Sequence, residues 1–206
     1  MSRRARSDSS ETKRNLLRAA TAEFSTHGYE GASLRQICSK AGVTTGALYF
    51  FFENKEDLFR QVISPVTNQV LIAFSEHYQT CIKAIVPGES ADGSLVDEKT
   101  SKLILDLFFE NRAIITIMTD NRRNPVVEEF FGQLVNIISD GVRAMLAASG
   151  RPLVQSDEFI ITWLASTEIN TVVDILENDE RRADADRHML SVVRFIRCGV
   201  EGLAAA

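Results

Sequence analysis

The 206-residue chain is poor in the residues that usually announce a chemistry: three cysteines, three histidines, four prolines and one tryptophan. Cys38, Cys81 and Cys198 are far apart and odd in number, so no disulfide framework is implied. His77 and Cys81 stand four apart, which on a helix puts them on one face as a thiol–imidazole pair or as two metal ligands. No third ligand lies nearby in sequence, so ordinary packing and no metal are expected. His27 suits the dipole at the end of a first helix, and His188 a structural place in a late one. Neither a phosphate-binding glycine loop nor a nucleophile elbow occurs. The chain is therefore expected to be no enzyme and to carry no cofactor. No run reaches the roughly 18 apolar residues of a membrane span. The stretch 2–10 is too polar for a secretory signal, and a cytoplasmic location is expected.

What is present is a helical composition with an uneven charge. At 45% hydrophobic residues the chain can bury a real core, as one large or two small domains. The net charge of −5 argues at first against nucleic acid. Residues 1–63, however, hold ten Lys or Arg against seven Asp or Glu, a net of +3, and the remainder holds thirteen against twenty-one, a net of −8. A basic first part on an acidic remainder fits a local anionic partner, since screening confines the field to roughly 8 Å at physiological salt. Arg3, Arg4 and Arg6 lie among serines, so residues 1–11 are expected to be a disordered basic leader. The functional alternative is an arm that touches phosphate or the minor groove.

The most informative stretch is 34–58. Ser33 and Gln36 fit a capping box, each side chain meeting the other's backbone amide. Leu34, Ile37, Cys38 and Ala41 then repeat at helical spacing. Gly42 stops that helix as a left-handed cap. Thr44 can cap the next helix, with Val43 and Leu48 placed as a hydrophobic staple. Leu48 and Phe52 anchor this second helix, while Thr44, Thr45, Gly46 and Ala47 at its start are small enough for close backbone approach. Asn54 caps the following helix, where Glu56 and Asp57 complement the dipole. A short helix, a glycine turn and a short capped helix form a helix-turn-helix, which places one helix in the major groove of DNA.

Phe24, Gly28, Tyr29, Ile37, Ala41-Gly42-Val43-Thr44, Gly46, Leu48-Tyr49, Phe52, Lys55 and Leu58 together resemble the DNA-binding domain of the tetracycline-repressor (TetR) family. The resemblance covers residues 12–63. It implies an all-α protein: a three-helix DNA-binding domain over 12–63 and a helical effector-binding and dimerising domain over 64–206. It also implies a homodimeric repressor, bound to a palindromic operator and released by a small molecule. By position, Arg35 falls where relatives contact a base or phosphate. Thr45 and Gly46 fall on base-reading positions, and Tyr49 and Lys55 on phosphate-contacting ones. Ser33, Thr44 and Ala47 complete the expected DNA-binding set. Phe51 departs from the family, which usually has His or Tyr there, so a polar backbone contact is in doubt and the ring is free to pack inward.

Beyond the helix-turn-helix the periodicity stays helical. One long helix is expected over 55–86, kinked or restarted at Pro65. Pro87-Gly88 and Asp92-Gly93 mark a loop. Helices follow over 97–119, 125–148, 157–177 and 186–202, with a charged linker at 178–185. The last two are apolar over wide arcs: Ile160, Ile161, Leu164, Val172, Val173 and Leu176 in one, Met189, Val192, Val193, Ile196 and Val200 in the other. Such arcs need two partners, and a second subunit on a two-fold axis is the expected one. Phe74, Tyr78, Phe108, Asn111, Trp163, Thr167 and Asn170 are the expected effector-pocket residues, being aromatic or polar groups caught in apolar helices. Glu168, if buried, would pair with a cationic effector. Control by a protein docked on the acidic part, or activation in place of repression, are the alternative readings.

Overall fold

A computed structural model describes residues 3–85, 93–179 and 181–205. Among the described residues the chain is helical throughout, with no strand. The helices are α1 (Arg3–Gly31), α2 (Leu34–Ala41), α3 (Thr45–Phe51), α4 (Lys55–Ile85), α5 (Gly93–Glu110), α6 (Arg112–Asp120), α7 (Pro125–Ala148), α8 (Gln155–Asn178) and α9 (Arg182–Ala205). They form two compact units. The described residues of Met1–Thr67 and Asn111–Glu129 make the first, and those of Asn68–Glu110 and Phe130–Ala206 the second. The loop expected at Pro87-Gly88 and Asp92 lies outside the described residues.

Local chemistry sets the boundaries in the first unit. The Ser33 hydroxyl accepts from the Gln36 amide at 3.4 Å, opening α2. Gly42 ends it at φ 70°, ψ 30°, a conformation that costs a residue with a Cβ roughly 1 kcal/mol or more. Thr44 Oγ1 accepts from the Ala47 amide at 3.2 Å to open α3. Asn54 Oδ1 accepts from the Asp57 amide at 2.8 Å to open α4, and the Asp57 carboxylate accepts from the Glu53 amide at 3.0 Å. The core beneath these caps is Leu16, Ala20, Phe24, Ile37, Leu48, Phe52, Leu58 and Phe59, all buried. Phe24 meets the edge of Phe59 at 5.1 Å between centroids, and Tyr29 meets Phe59 at 5.0 Å. Gly28 (φ 66°) breaks the helical path inside α1 and delivers the Tyr29 amide to Asn121 Oδ1 at 2.9 Å. That bond ties α6 into the first unit.

Four expectations are corrected. The stretch expected to be a disordered leader is helical from Arg3, because adding residues to an existing helix brings one hydrogen bond per residue without a new nucleation step. The Ser33 amide donates to Glu23 Oε1 at 3.3 Å rather than to Gln36. The single helix expected over 97–119 is two, divided at Asn111 (φ −122°, ψ 33°). Finally, α4 runs through Pro65 with neither break nor restart. Buried Val62 and Ile63 before the proline, and Val66 and Val70 after it, hold both sides by packing. Proline forfeits one backbone bond there.

In the second unit, α9 packs against α5 and α8. Leu105, Ile175, Ala185 and Met189 form its buried centre, with Phe109, Val172, Leu176, Val192 and Val193 packed around them. By length and composition α8 is apolar enough to cross a membrane, although no unbroken apolar run of that length was expected. Its apolar residues have a nearer use: Ile161, Leu164, Ala165, Ile169, Val173 and Ile175 are buried within the chain.

Candidate DNA-binding surface and effector cavity

In the first unit, the start of α3 is open. Thr44, Thr45 and Gly46 are exposed, Ala47 is half-buried, and Arg35 on α2 is exposed. Tyr49 keeps 54% of its surface accessible and Phe50 79%. The two rings are neighbours on a helix of only seven residues, whose buried anchor is Leu48. Phe51 is half-buried and stacks edge-on against Phe50 at 5.1 Å, with Phe52 at 6.3 Å.

Lys55 is already engaged. Its Nζ donates to the Glu30 carbonyl at 3.1 Å and lies 4.9 Å from the centre of the Tyr29 ring. It thus caps the end of α1 while remaining only half-buried. Sequence reasoning missed the group that organises this corner. Glu23 is 2% exposed, and its carboxylate accepts from Lys40 Nζ at 2.6 Å and from the Ser33 amide at 3.3 Å. The Lys40 hydrogen bond holds Glu23 below the usual carboxylate range, against the opposing effect of burial. One carboxylate therefore couples α1 to both ends of α2. The available signal was a Glu inside an apolar helical stripe, between Ala20 and Phe24. Burial pushes the Cys38 thiol up, with a hydrogen bond to Thr45 opposing the shift.

The second unit contains a cavity of about 510 Å³. Phe74, Tyr78 and Cys81 of α4 line it, with Ile104 of α5, Met145 of α7, Glu168 and Val172 of α8, and Met189, Val193 and Ile196 of α9. Of the expected pocket residues, the structure brings Phe74 and Tyr78 to this cavity. Phe108, Trp163, Thr167 and Asn170 are not among its lining residues, and Asn111 belongs to the first unit. Trp163 is 46% exposed on α8. Helical periodicity states which residues share a face; it leaves open whether that face meets a cavity, a neighbour or solvent.

The polar groups of the cavity come from separated segments. Tyr78 donates its hydroxyl hydrogen to Glu168 Oε2 at 3.3 Å. Burial pushes Glu168 up to about 7 and Tyr78 well above the ordinary phenol range. Gly141 makes room for this tyrosine, since a Cβ there would stand 2.2 Å from Tyr78 Cγ. Burial lowers His77 to about 4 and raises Cys81 to about 11, so His77 is neutral at pH 7. Asp97 of α5 lies 3.7 Å from His77 Nε2, and its other oxygen is 2.9 Å from Arg197 Nε of α9. The Asp97 and Arg197 partners were not legible from the spacing of His77 and Cys81.

Residues 16–62 match the family of bacterial regulatory proteins, tetR family. The chain is 24% identical over 135 residues to the uncharacterized HTH-type transcriptional regulator YhgD of Bacillus subtilis (strain 168), spanning 65% of this chain and 71% of that one. It is 37% identical over 62 residues to the probable acrEF/envCD operon repressor of Escherichia coli (strain K12). That match spans 30% of this chain and only 28% of the repressor. Its fold is similar to that of SmeT, the repressor of the Stenotrophomonas maltophilia multidrug efflux pump SmeDEF. The TM-score is 0.66 at 17% identity, covering 92% of this chain and 91% of SmeT. Residues 16–62 thus match a DNA-binding domain of tetR-family regulators, and the chain as a whole is similar in fold to a solved repressor of that kind.

Proposed function

We propose that the chain is a cytoplasmic homodimeric repressor that binds a palindromic operator and is released by a small molecule held in the cavity of the second unit. The single observation that carries this reading is that cavity: about 510 Å³ of mostly apolar wall with the Tyr78–Glu168 pair set into it. Its volume and its few placed polar groups suit a small organic ligand. With its carboxyl raised to about 7, Glu168 favours an effector carrying a cationic group, since such a group stabilises the ionised form. Phe74 and Tyr78 offer rings to the ligand's apolar part.

In this reading residues 12–63 are the DNA-binding domain and 64–206 the effector and dimerisation domain. Ser33, Arg35, Thr44, Thr45, Gly46, Ala47, Tyr49 and Lys55 face the operator. Because α4 contributes residues to both units, it is the element that carries the signal. The dimer surface falls on α8 and α9, but not on the residues whose apolar arcs suggested it. Ile161, Leu164, Val173, Met189 and Val200 are buried within the chain, and Val172, Val192, Val193 and Ile196 line the cavity. Phe159 (76% exposed) and Trp163 on α8, with Leu190 and Phe195 (70% exposed) on α9, are the apolar side chains left to meet a second copy. A two-fold dimer of this kind reads half-sites about one helical turn, ~34 Å, apart.

A gel shift with DNA from around the chain's own gene, at fixed salt because affinity falls steeply with salt, tests the reading. Lys55→Ala weakens binding to all sequences alike, whereas Thr45→Ala changes the preference between operators. If both variants bind like the parent, this face is not the DNA surface. A thermal-shift screen then finds the effector, which stabilises the folded chain by mass action. Recovery of a protein partner, with no stabilising small molecule, would replace the effector reading with control by protein docking.

A further inference from the structure

Two helices bring donors of three kinds to one wall of the second unit's cavity. His77 and Cys81 stand one turn apart on α4 and face Asp97 of α5, and one donor atom from each lies within 4.8 Å of the other two. His77 Nε2 is 3.7 Å from Cys81 Sγ and 3.7 Å from Asp97 Oδ1. For nitrogen and oxygen, 3.7 Å is too long for a hydrogen bond. It is close to an edge of a metal tetrahedron. Bonds of roughly 2.0–2.1 Å to nitrogen and oxygen and about 2.3 Å to sulfur place such edges at roughly 3.4–3.6 Å.

The surrounding contacts are those that metal ligands use. His77 Nδ1 lies 3.2 Å from Thr100 Oγ1, so donation to that hydroxyl leaves the Nε2 lone pair directed at Cys81 and Asp97. Asp97 presents Oδ1 to His77 while its other oxygen meets Arg197 Nε, so the carboxylate is held in place by a group that does not occupy the donor side. Cys81 and Asp97 are buried and His77 is half-buried, yet all three line the cavity.

We propose that His77, Cys81 and Asp97 form a binding site for a divalent first-row transition-metal ion, Zn²⁺ above all, on the cavity wall. One imidazole, one thiolate and one carboxylate suit zinc, whereas calcium and magnesium require oxygen ligands throughout. Three protein donors leave a coordination position for water or for a donor atom of a molecule in the same cavity. The full-length chain, reduced and stripped with a chelator, is titrated with Co²⁺ alone and without DNA, so the outcome is independent of the operator. The expected result is one ion per chain, with the visible absorption of a tetrahedral ion and a thiolate-to-cobalt charge-transfer band, both displaced by Zn²⁺. Cys81→Ser abolishes the charge-transfer band, and Asp97→Asn and Thr100→Val each weaken binding at least 10-fold. Cys198→Ser leaves the spectrum unchanged. Circular dichroism of each variant separates lost ligands from lost folding, and the parent's own spectrum reports the thiolate without any substitution. Absence of binding by the parent overturns the proposal. So does a charge-transfer band that survives Cys81→Ser or disappears with Cys198→Ser.

Discussion

The two units differ in how far along the chain their polar groups reach for partners. In the first, the hydrogen bonds that open α2, α3 and α4 span three residues each, from Ser33, Thr44 and Asn54. In the second, the bond from Tyr78 to Glu168 spans 90 residues, that from Arg182 to Asp106 spans 76, and Arg197 reaches back to Asp97. The first unit's helix starts are thus specified turn by turn, with long-range anchors from Tyr29 to Asn121 and from Arg60 to Glu129. The second assembles its chemistry only when four helices have met. Short-range bonds set up a rigid presenting surface, while long-range ones build a cavity whose contents register in the packing of several helices.

The comparison is broken most strongly in the first unit's core. Phe24→Ala removes a fully buried ring that packs edge-on against Phe59 and costs about 3–5 kcal/mol. Differential hydrogen exchange should show protection lost across α1, α2 and α3 and retained in α5, α8 and α9. Equal loss in both units would show that they unfold as one.

The second unit is probed through Glu168. Its carboxyl is raised from 4.5 to about 7, so the folded state holds a proton that the unfolded state has released. Its contribution is complete below pH ~4.5 and is lost as pH rises through about 7. Glu168→Gln removes this dependence. The variant's stability relative to the parent should rise across that window by up to roughly 3 kcal/mol. Denaturant melts of the pair from pH 4 to 8 measure it, and their difference cancels the opposite slope of His77. A pH-independent difference would place Glu168 in an ordinary solvated environment.

The smallest expected effect returns to the first unit. Glu23→Gln keeps an acceptor for the Ser33 amide and loses the charge facing Lys40, whose side chain is about half exposed, so the cost is about 1 kcal/mol. Glu23 is held below 4.5 in the folded chain. The parent's advantage should be constant above pH ~4.5 and vanish as pH falls through the lowered value. An advantage that persists in acid would trace to packing and not to charge.

These contrasts explain what was legible in advance. Ser33, Gly42, Thr44 and Asn54 act on neighbours three or four residues away, so spacing alone located the helix-turn-helix. Glu23 was invisible because its partners, Lys40 and the Ser33 amide, lie on another helix. Phe74 and Tyr78 line the cavity while Phe108 and Trp163 do not, although all four are aromatics in helices and spacing does not tell them apart. The break at Asn111 escaped notice because α6 is held in the first unit by Asn121 and the Tyr29 amide.

The amino-acid order by itself determined the helical class, the helix-turn-helix and its exposed α3, because caps, turns and amphipathic stripes are written within a few residues. Tertiary structure alone decided that Asn111–Glu129 joins the first unit, that Glu168 accepts from Tyr78 in the cavity lining, and that Asp97 stands beside His77 and Cys81. Those pairings depend on which faces of distant helices pack together, and helical period leaves that choice open until the core closes.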